Sequence, residues 1–307
     1  MNLNDPIFSD EAKARTYFEN IRWPDGIVCP HCGGTERVYR LSGKSTRPGL
    51  IHCNDCDGSF TVTTGGVMES SKIPLTKWAL AFRLMAASKK GISAHQLHRM
   101  LGITYKSAWF MAMRVREAMG LPLKPEPVGG KGVIVEADET ELAPSRKTKG
   151  AGKRNRANNK RFVALVERDG KVRSAVIDGR DMRDVRAAVN ANLHPDSVLH
   201  TDGAQFYKGM MPVGQHESVD HNKLYARDGQ TGRVHTNTAE GYFSLFKRGL
   251  VGTYQHISPA HLPRYLAEFD FRMNNRVALG VNDDVRTERA VKGAEGKRLM
   301  YQGTGAA

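Results

Sequence analysis

Apolar positions recur along this chain with two different periods, and the change of period divides it. In "SDEAKARTYFENIRW" (9–23), Ala12, Tyr17, Phe18 and Ile21 recur on a helical period, and Ser9 is placed to cap the helix. A second helical stretch runs from residue 76 to residue 119. Thr76 caps its first helix, which carries apolar Trp78, Leu80, Ala81, Phe82, Leu84 and Met85. "KKGIS" interrupts it, Ser93 caps a short helix "AHQLHRML", Gly102 makes a tight turn, and Thr104 caps a third helix reaching about Met119. "LPLKPEPVGGKG" (121–132) holds three prolines and three glycines and reads as a linker.

After residue 132 the period shortens. "GVIVEADETEL" is a strand with its apolar run at the start. "RFVALVERDGKVRSAVI" is a hairpin turning at Arg168-Asp169-Gly170, with Phe162, Ala164 and Val166 alternating along its first strand. A helix "DMRDVRAAVNANL" follows, then a strand Val198–His200 running into Thr201-Asp202-Gly203 and a further helix. A short strand "ESVDH" and a helix "VHTNTAEGYFSLFKRGL" complete the pattern. This order predicts an α/β domain, a mixed sheet with helices on both faces. The chain therefore divides into a helical lead-in (1–28), a cysteine segment (29–64), a helical domain (76–120), the α/β domain (128–276) and a tail (277–307) whose helical potential gives way to a frayed "GTGAA".

Composition narrows the function classes. The 307 residues are 40% hydrophobic and 25% charged, as expected of a folded soluble protein. No apolar run approaches the roughly 18–20 residues of a membrane span, and "MNLNDPIFSDEAKARTYFEN" has no leader pattern, so the expectation is a cytoplasmic protein with no membrane partner. Lys and Arg outnumber Asp and Glu by 46 to 32, a net charge of +14. That excess points to a polyanionic partner, nucleic acid first.

The four cysteines are Cys29-x2-Cys32 and Cys53-x2-Cys56, twenty residues apart. Two such knuckles supply a tetrahedral thiolate site for structural zinc, and the short strand-like runs around them fit a zinc ribbon. Four cysteine ligands leave no open position for chemistry, and His31 and His52 read as flanking residues rather than ligands. The short-helix, glycine-turn, longer-helix pattern of 94–119 matches a helix-turn-helix as well as a plain bundle. In the first case Tyr105, Lys106 and Ser107, early in its last helix, meet DNA, while Trp109, Met113 and Val115 pack.

The densest acidic cluster lies in the first strand of the α/β domain: Glu136, Asp138, Glu139 and Glu141. Asp138 falls near its end, Asp202 ends a second apolar strand, and Glu240 lies on a helix face with Asn237, Ser244 and Lys247. Converging carboxylates need compensating cations, and hard oxygen donors suit two Mg²⁺ or Mn²⁺ ions acting in phosphoryl transfer. Each acid has a structural alternative. Asp138 could be a solvated strand end, Asp202-Gly203 a turn, and Asn237-x-x-Glu240 a capping box. Glu136 shares the face of Asp138 and competes with it, whereas Glu139 points the other way. Cations flank these acids: Lys247 and Arg248 on the helix, and a basic insert (144–161) with Arg146, Lys147, Lys149, Lys153, Arg154 and Arg156.

"CPHCGG…CNDCDGSFTVTTGGVMESSKIPLTKWALAF", followed by "EADETEL", "HTDGAQFY" and "HTNTAEGYFSLFKRG", resembles the zinc-ribbon DDE transposases of bacterial insertion sequences from about residue 20 to about 275. The resemblance implies a ribonuclease-H-like catalytic domain and Mg²⁺-dependent cutting of element ends, with joining of the freed 3′-hydroxyls to target DNA. It assigns the triad to Asp138, Asp202 and Glu240, with Asn237 the alternative third ligand, and a DNA-contacting lysine to Lys247. It also implies double-stranded DNA as partner, at least a dimer in the active complex, and a nucleoid-associated protein of the bacterial cytoplasm.

Overall fold

The computed structural model describes residues 2–122, 124–142, 160–177, 182–207, 209, 215–220 and 223–300. Six cations of the basic insert (Arg146, Lys147, Lys149, Lys153, Arg154 and Arg156) lie outside the described residues. The chain forms two compact units, one built from residues up to Gly120 together with those from Val281 on, the other from Leu121–Gly280.

The first unit opens with α1 (Glu11–Arg22). Its cap is Asp10, whose carboxylate accepts from the Ala12 and Lys13 amides, rather than Ser9, which closes the preceding 3-10 turn. Three short antiparallel strands follow: β1 (Val38–Arg40), β2 (Ile51–Cys53) and β3 (Gly58–Phe60), in the order β1-β2-β3. Phe18 of α1 meets Phe82 edge-on at 6.3 Å, and Trp23 meets Phe60 at 5.9 Å. Arg40 on β1 pairs with Glu19 of α1 through both guanidinium nitrogens at 3.0 and 2.7 Å.

Helices α2 (Leu75–Ala87), α3 (Ala94–Leu101) and α4 (Tyr105–Met119) follow the reading of the sequence, with one change of cap. α2 starts after Pro74, not at Thr76, and no side chain at its N-cap serves it. Glu11 of α1 does so from a distance, accepting from the Leu75 amide at 2.9 Å and the Thr76 amide at 3.3 Å. Ser93 and Gln96 form a reciprocal capping box on α3, and Thr104 caps α4. Gly102 between them is left-handed, φ +59°. Nothing lies within 4 Å of where its Cβ would stand, so Gly102→Ala isolates the backbone cost. Urea unfolding is expected to show a loss of about 1 kcal/mol. The helical potential read in the segment after residue 277 is realised in α8 (Asp283–Lys292), which belongs to this unit, and its Asp284 pairs with Arg83 of α2 at 2.7 Å.

The second unit is a five-stranded mixed sheet in the order β6-β5-β4-β7-β8. Its strands are β4 (Ile134–Leu142), β5 (Lys160–Glu167), β6 (Val172–Ile177), β7 (Val198–Asp202) and β8 (Gln215–Val219). β4 runs antiparallel to β5 and parallel to β7. The β5–β6 hairpin turns where the sequence places it, with Asp169 left-handed at φ +57°. The period of two assigns the faces. Val135, Ala137, Val163, Leu165 and Leu199 form one core with α5 (Met182–Asn190) through Val185 and Val189. Phe162, from the opposite face, packs edge-on against Phe243 and Phe246 of α6 (Asn237–Gly249).

α7 (Leu262–Asn274) is tied to this second face by a buried carboxyl. Asp270 accepts from the Ser174 amide, the Ser174 hydroxyl and the Tyr242 hydroxyl at 2.7, 2.8 and 2.6 Å. After Asp202 the described chain makes only a 3-10 turn, Gln205–Tyr207, in place of the expected helix. A small hairpin, β9 (Arg227–Gly229) with β10 (Gly232–Val234), precedes α6.

Candidate functional site

Register sets the two aspartates beside each other. β4 and β7 pair in parallel up to Ala137↔Thr201, and the next residues along the two strands are Asp138 and Asp202. Side chains in register on parallel neighbours share a face, here the face covered by α6. Asp138 Oδ1 accepts from the Glu139 amide at 2.8 Å, and Asp202 Oδ1 from the Ala204 amide at 3.1 Å, the turn contact its sequence allows.

A cleft of about 570 Å³ opens on this face. Asp138, Glu139, Thr140, Glu240, Phe243, Ser244, Lys247, Arg248 and Val251 line it. The Lys247 ammonium lies 6.0 Å from the Phe243 ring centre, and Arg248 Nε donates to the Ser244 carbonyl at 3.2 Å. One cleft thus holds two of the three predicted acids and both predicted helix cations, with the third acid one strand away.

The acids feel one another. Burial first, then the charges of Glu139, Asp202 and Glu240, push the Asp138 carboxyl up to about 7. Burial and neighbouring negative charge both disfavour the ionised form there. The acids are not drawn into a closed cage, however. Among the described residues, the four cysteines are the only group of three or more metal-ligating side chains whose donor atoms gather, all within 4.8 Å of one another.

The neighbouring acids differ in their surroundings. Glu139 points to the opposite face, where the buried Tyr207 hydroxyl donates to it at 2.8 Å. Glu136 shares the face of Asp138 but is fully buried and engaged. Arg168 Nε donates to it at 2.9 Å, the Thr238 and Ala239 amides at 2.7 and 3.2 Å, and the Thr238 hydroxyl at 3.0 Å. These donors occupy both of its oxygens. Arg168 extends from the hairpin turn to the Arg233 carbonyl at 2.7 Å and to His200 Nδ1 at 3.1 Å. Burial, followed by the Arg168 charge, lowers His200 to about 4 and leaves it neutral. None of this network is visible in sequence spacing.

At the start of α6 the capping-box alternative does not form. The N-cap is Thr236, without a side-chain capping bond, so Asn237 and Glu240 already lie inside the first turn. The Asn237 Oδ1 is buried and has no hydrogen-bond partner among the described residues.

The cysteine cluster lies in the first unit. Cys29 and Cys32 stand on a knuckle closed by the Gly33 amide donating to the Cys29 carbonyl at 2.9 Å, with Gly33 at φ +79°. Cys53 ends β2, and Cys56 follows on the turn before β3. Sulfur separations of 3.7 Å (Cys29–Cys56) and 3.6 Å (Cys32–Cys53) exclude disulfides. They match the sulfur spacing of about 3.8 Å in a tetrahedron with zinc–sulfur bonds of about 2.3 Å. The donor set fits structural zinc. His31 packs on Phe60, and His52 Nδ1 bonds the Ser59 hydroxyl, so both stay outside the ligand set as expected.

Farther along this unit, Tyr105 and Lys106 are exposed at the start of α4, and Tyr105 stacks on His95 at 4.3 Å. Of the three expected packing residues, Met113 and Val115 are buried and Trp109 is half-buried.

Two family models match the chain. Residues 9–59 match a transposase zinc-ribbon domain, and residues 129–274 match an ISXO2-like transposase domain. A protein of Halobacterium salinarum, described as an uncharacterized protein in transposable element ISH50, is 28% identical over 282 residues, 86% of this chain and 91% of that one. The simian T-cell lymphotropic virus intasome, solved in complex with PP2A regulatory subunit B56 gamma, is 13% identical over 57% of this chain. The match spans 63% of that chain, less than two thirds, and its TM-score of 0.28 is too low to bear on the fold. No described helix is long and apolar enough to cross a membrane.

Proposed function

We propose that this chain, a member of the zinc-ribbon transposases of insertion sequences, cuts the DNA ends of its element and joins the freed 3′-hydroxyls to target DNA. The observation that carries this reading is the cleft of Asp138, Glu240, Lys247 and Arg248, with Asp202 on the adjacent strand of a five-stranded mixed sheet. We read that sheet as a ribonuclease-H-like core.

In this reading Asp138, Asp202 and Glu240 hold two divalent ions, Mg²⁺ or Mn²⁺, with Asn237 the alternative third ligand through its unpartnered Oδ1. Such ions, when bound, activate an oxygen nucleophile and stabilise the leaving oxygen of a phosphodiester. The unusually protonatable Asp138 supports this reading, since a cation supplies the positive charge its surroundings lack. Lys247 and Arg248, on the same wall, hold phosphates of the substrate strand and keep them in line with the acids. The zinc ribbon and the helices α3 and α4, through Tyr105 and Lys106, recognise the terminal repeats as a helix-turn-helix does. The cations of the insert (144–161) contact the DNA backbone. Joining two ends needs at least a dimer on DNA, at the nucleoid in the cytoplasm.

The test is strand transfer of a pre-cut element end into plasmid DNA with Mg²⁺, comparing the wild type with Asp202→Asn. Joined product from the wild type, reduced on the order of a hundredfold or more in the variant, is expected. End DNA bound equally by both proteins with no joining by either would instead favour a DNA-binding regulator. Cutting without joining would favour a nuclease.

A further inference from the structure

We infer that Glu136 is a positioning residue, which ties the first turn of α6 to the strand that carries Asp138 and so sets Glu240 opposite it. The inference rests on the reading of Asp138, Asp202 and Glu240 as the cation-holding acids. Three observations carry it.

The first is the start of α6, where the N-cap residue makes no side-chain capping bond. Helix N-termini need acceptors for their free amides, and Glu136 provides one from another element, accepting from Thr238 and Ala239.

The second is saturation. Oε2 accepts from two amides. Oε1 accepts from Arg168 Nε and the Thr238 hydroxyl, and His235 Nδ1 lies 3.1 Å away. A carboxylate has about four lone-pair sites, so no acceptor capacity is left for an ion. Glu136 therefore acts on the site through α6 and not as a ligand.

The third is the shortness of the path. Asp138 is two residues along β4 from Glu136, on the same face and about 7 Å away. Glu240 is one residue beyond Ala239 on α6. The two acids are joined through one strand step, one set of hydrogen bonds and part of a helical turn. Arg168 supplies the charge that makes a fully buried carboxylate tolerable there, and its contact with the Arg233 carbonyl fixes the chain entering α6.

The test uses the full-length zinc-loaded protein and two readouts, amide exchange of residues 237–249 and Mn²⁺ binding followed by electron paramagnetic resonance. In Glu136→Gln the α6 amides are expected to exchange about tenfold faster. Half-saturating Mn²⁺ is expected to rise about tenfold or more, the usual effect of removing a group that orients metal ligands. Thr238→Val, which removes one hydroxyl contact at nearly constant shape, is expected to move both readouts in the same direction by about threefold, and it decides the matter if Glu136→Gln does not fold. Faster α6 exchange with unchanged Mn²⁺ binding would overturn the inference, as would unchanged α6 exchange. A wild type that binds no Mn²⁺ would overturn the reading of the site itself, and the inference with it.

Discussion

Asp138→Asn is expected to abolish joining of DNA ends while making the magnesium-free protein more stable at neutral pH. The two effects share a cause. Asp138 is half-buried, and burial together with the charges of Glu139, Asp202 and Glu240 raises its carboxyl from the ordinary carboxylate range to about 7. A group whose folded value lies above its unfolded value takes up protons on folding. Stability is then greatest at low pH and falls as pH rises, here from about 4 to about 7. A shift of this size corresponds to roughly 4 kcal/mol by pH 8. Asparagine has nearly the same shape and no charge, so the variant escapes the penalty. Urea unfolding of the full-length protein should show equal stability near pH 4 and a growing advantage for Asp138→Asn up to pH 8.

Mg²⁺ should reverse the order. In the proposed reading it binds the folded wild type and stabilises it by mass action, while the variant lacks the charged ligand and gains little. Strand transfer should fall on the order of a thousandfold, the effect of losing metal-centred stabilisation of several kcal/mol. A variant that is less stable than the wild type at pH 8 without Mg²⁺ would show that Asp138 is engaged in structure instead.

What the sequence made legible here is what short-range pattern encodes. Three apolar residues before Asp138 and the alternation of Phe162, Ala164 and Val166 mark β4 and β5, and the structure has both, with the hairpin turn at Asp169. The helix carrying Glu240 and Lys247 was legible from spacings of three and four. So were the Ser93 and Thr104 caps, which each act on an amide three residues away. What was not legible is capping across the fold. α2 and α6 both lack a side-chain cap of their own, and both take a glutamate from elsewhere, Glu11 from 64 residues away and Glu136 from 102. Local rules assign Thr76 and Asn237 to these ends because they see only nearby polar residues. For the same reason Glu136 looked equivalent to Asp138. The strand period puts both on one face, but only the docking of α6 shows that one is consumed by helix amides and the other left in a cleft. The register that sets Asp202 beside Asp138 is likewise tertiary, since the residues of β5 to α5 separate the two strands in sequence.

Removing zinc is expected to unfold residues 29–60 while the five-stranded sheet keeps its protection from exchange. Each of the three ribbon strands has only three residues, too few to persist on pairing alone. Their apolar support is small: Ile51, Phe60 and the edge-on contact of Phe60 with Trp23. Against this, four thiolates on one zinc ion contribute about 10–16 kcal/mol in ribbon-sized peptides, so the metal outweighs the local packing. Chelation, or Cys53→Ser, should therefore release the β2 amides to exchange at rates close to those of an unstructured peptide. It should also expose Trp23, read as a red shift of its fluorescence. β4, β5 and β7 hold one another through their own ladders and the core around Val135, Val163 and Leu199, and their amides should stay protected in the same sample. Binding of element-end DNA in a gel should weaken sharply, which would tie recognition of the ends to the metal-held ribbon. Persistent protection of β2 after zinc has been quantitatively removed would mean that the packing of Phe60 and Trp23 suffices, and that the four cysteines serve something other than the fold.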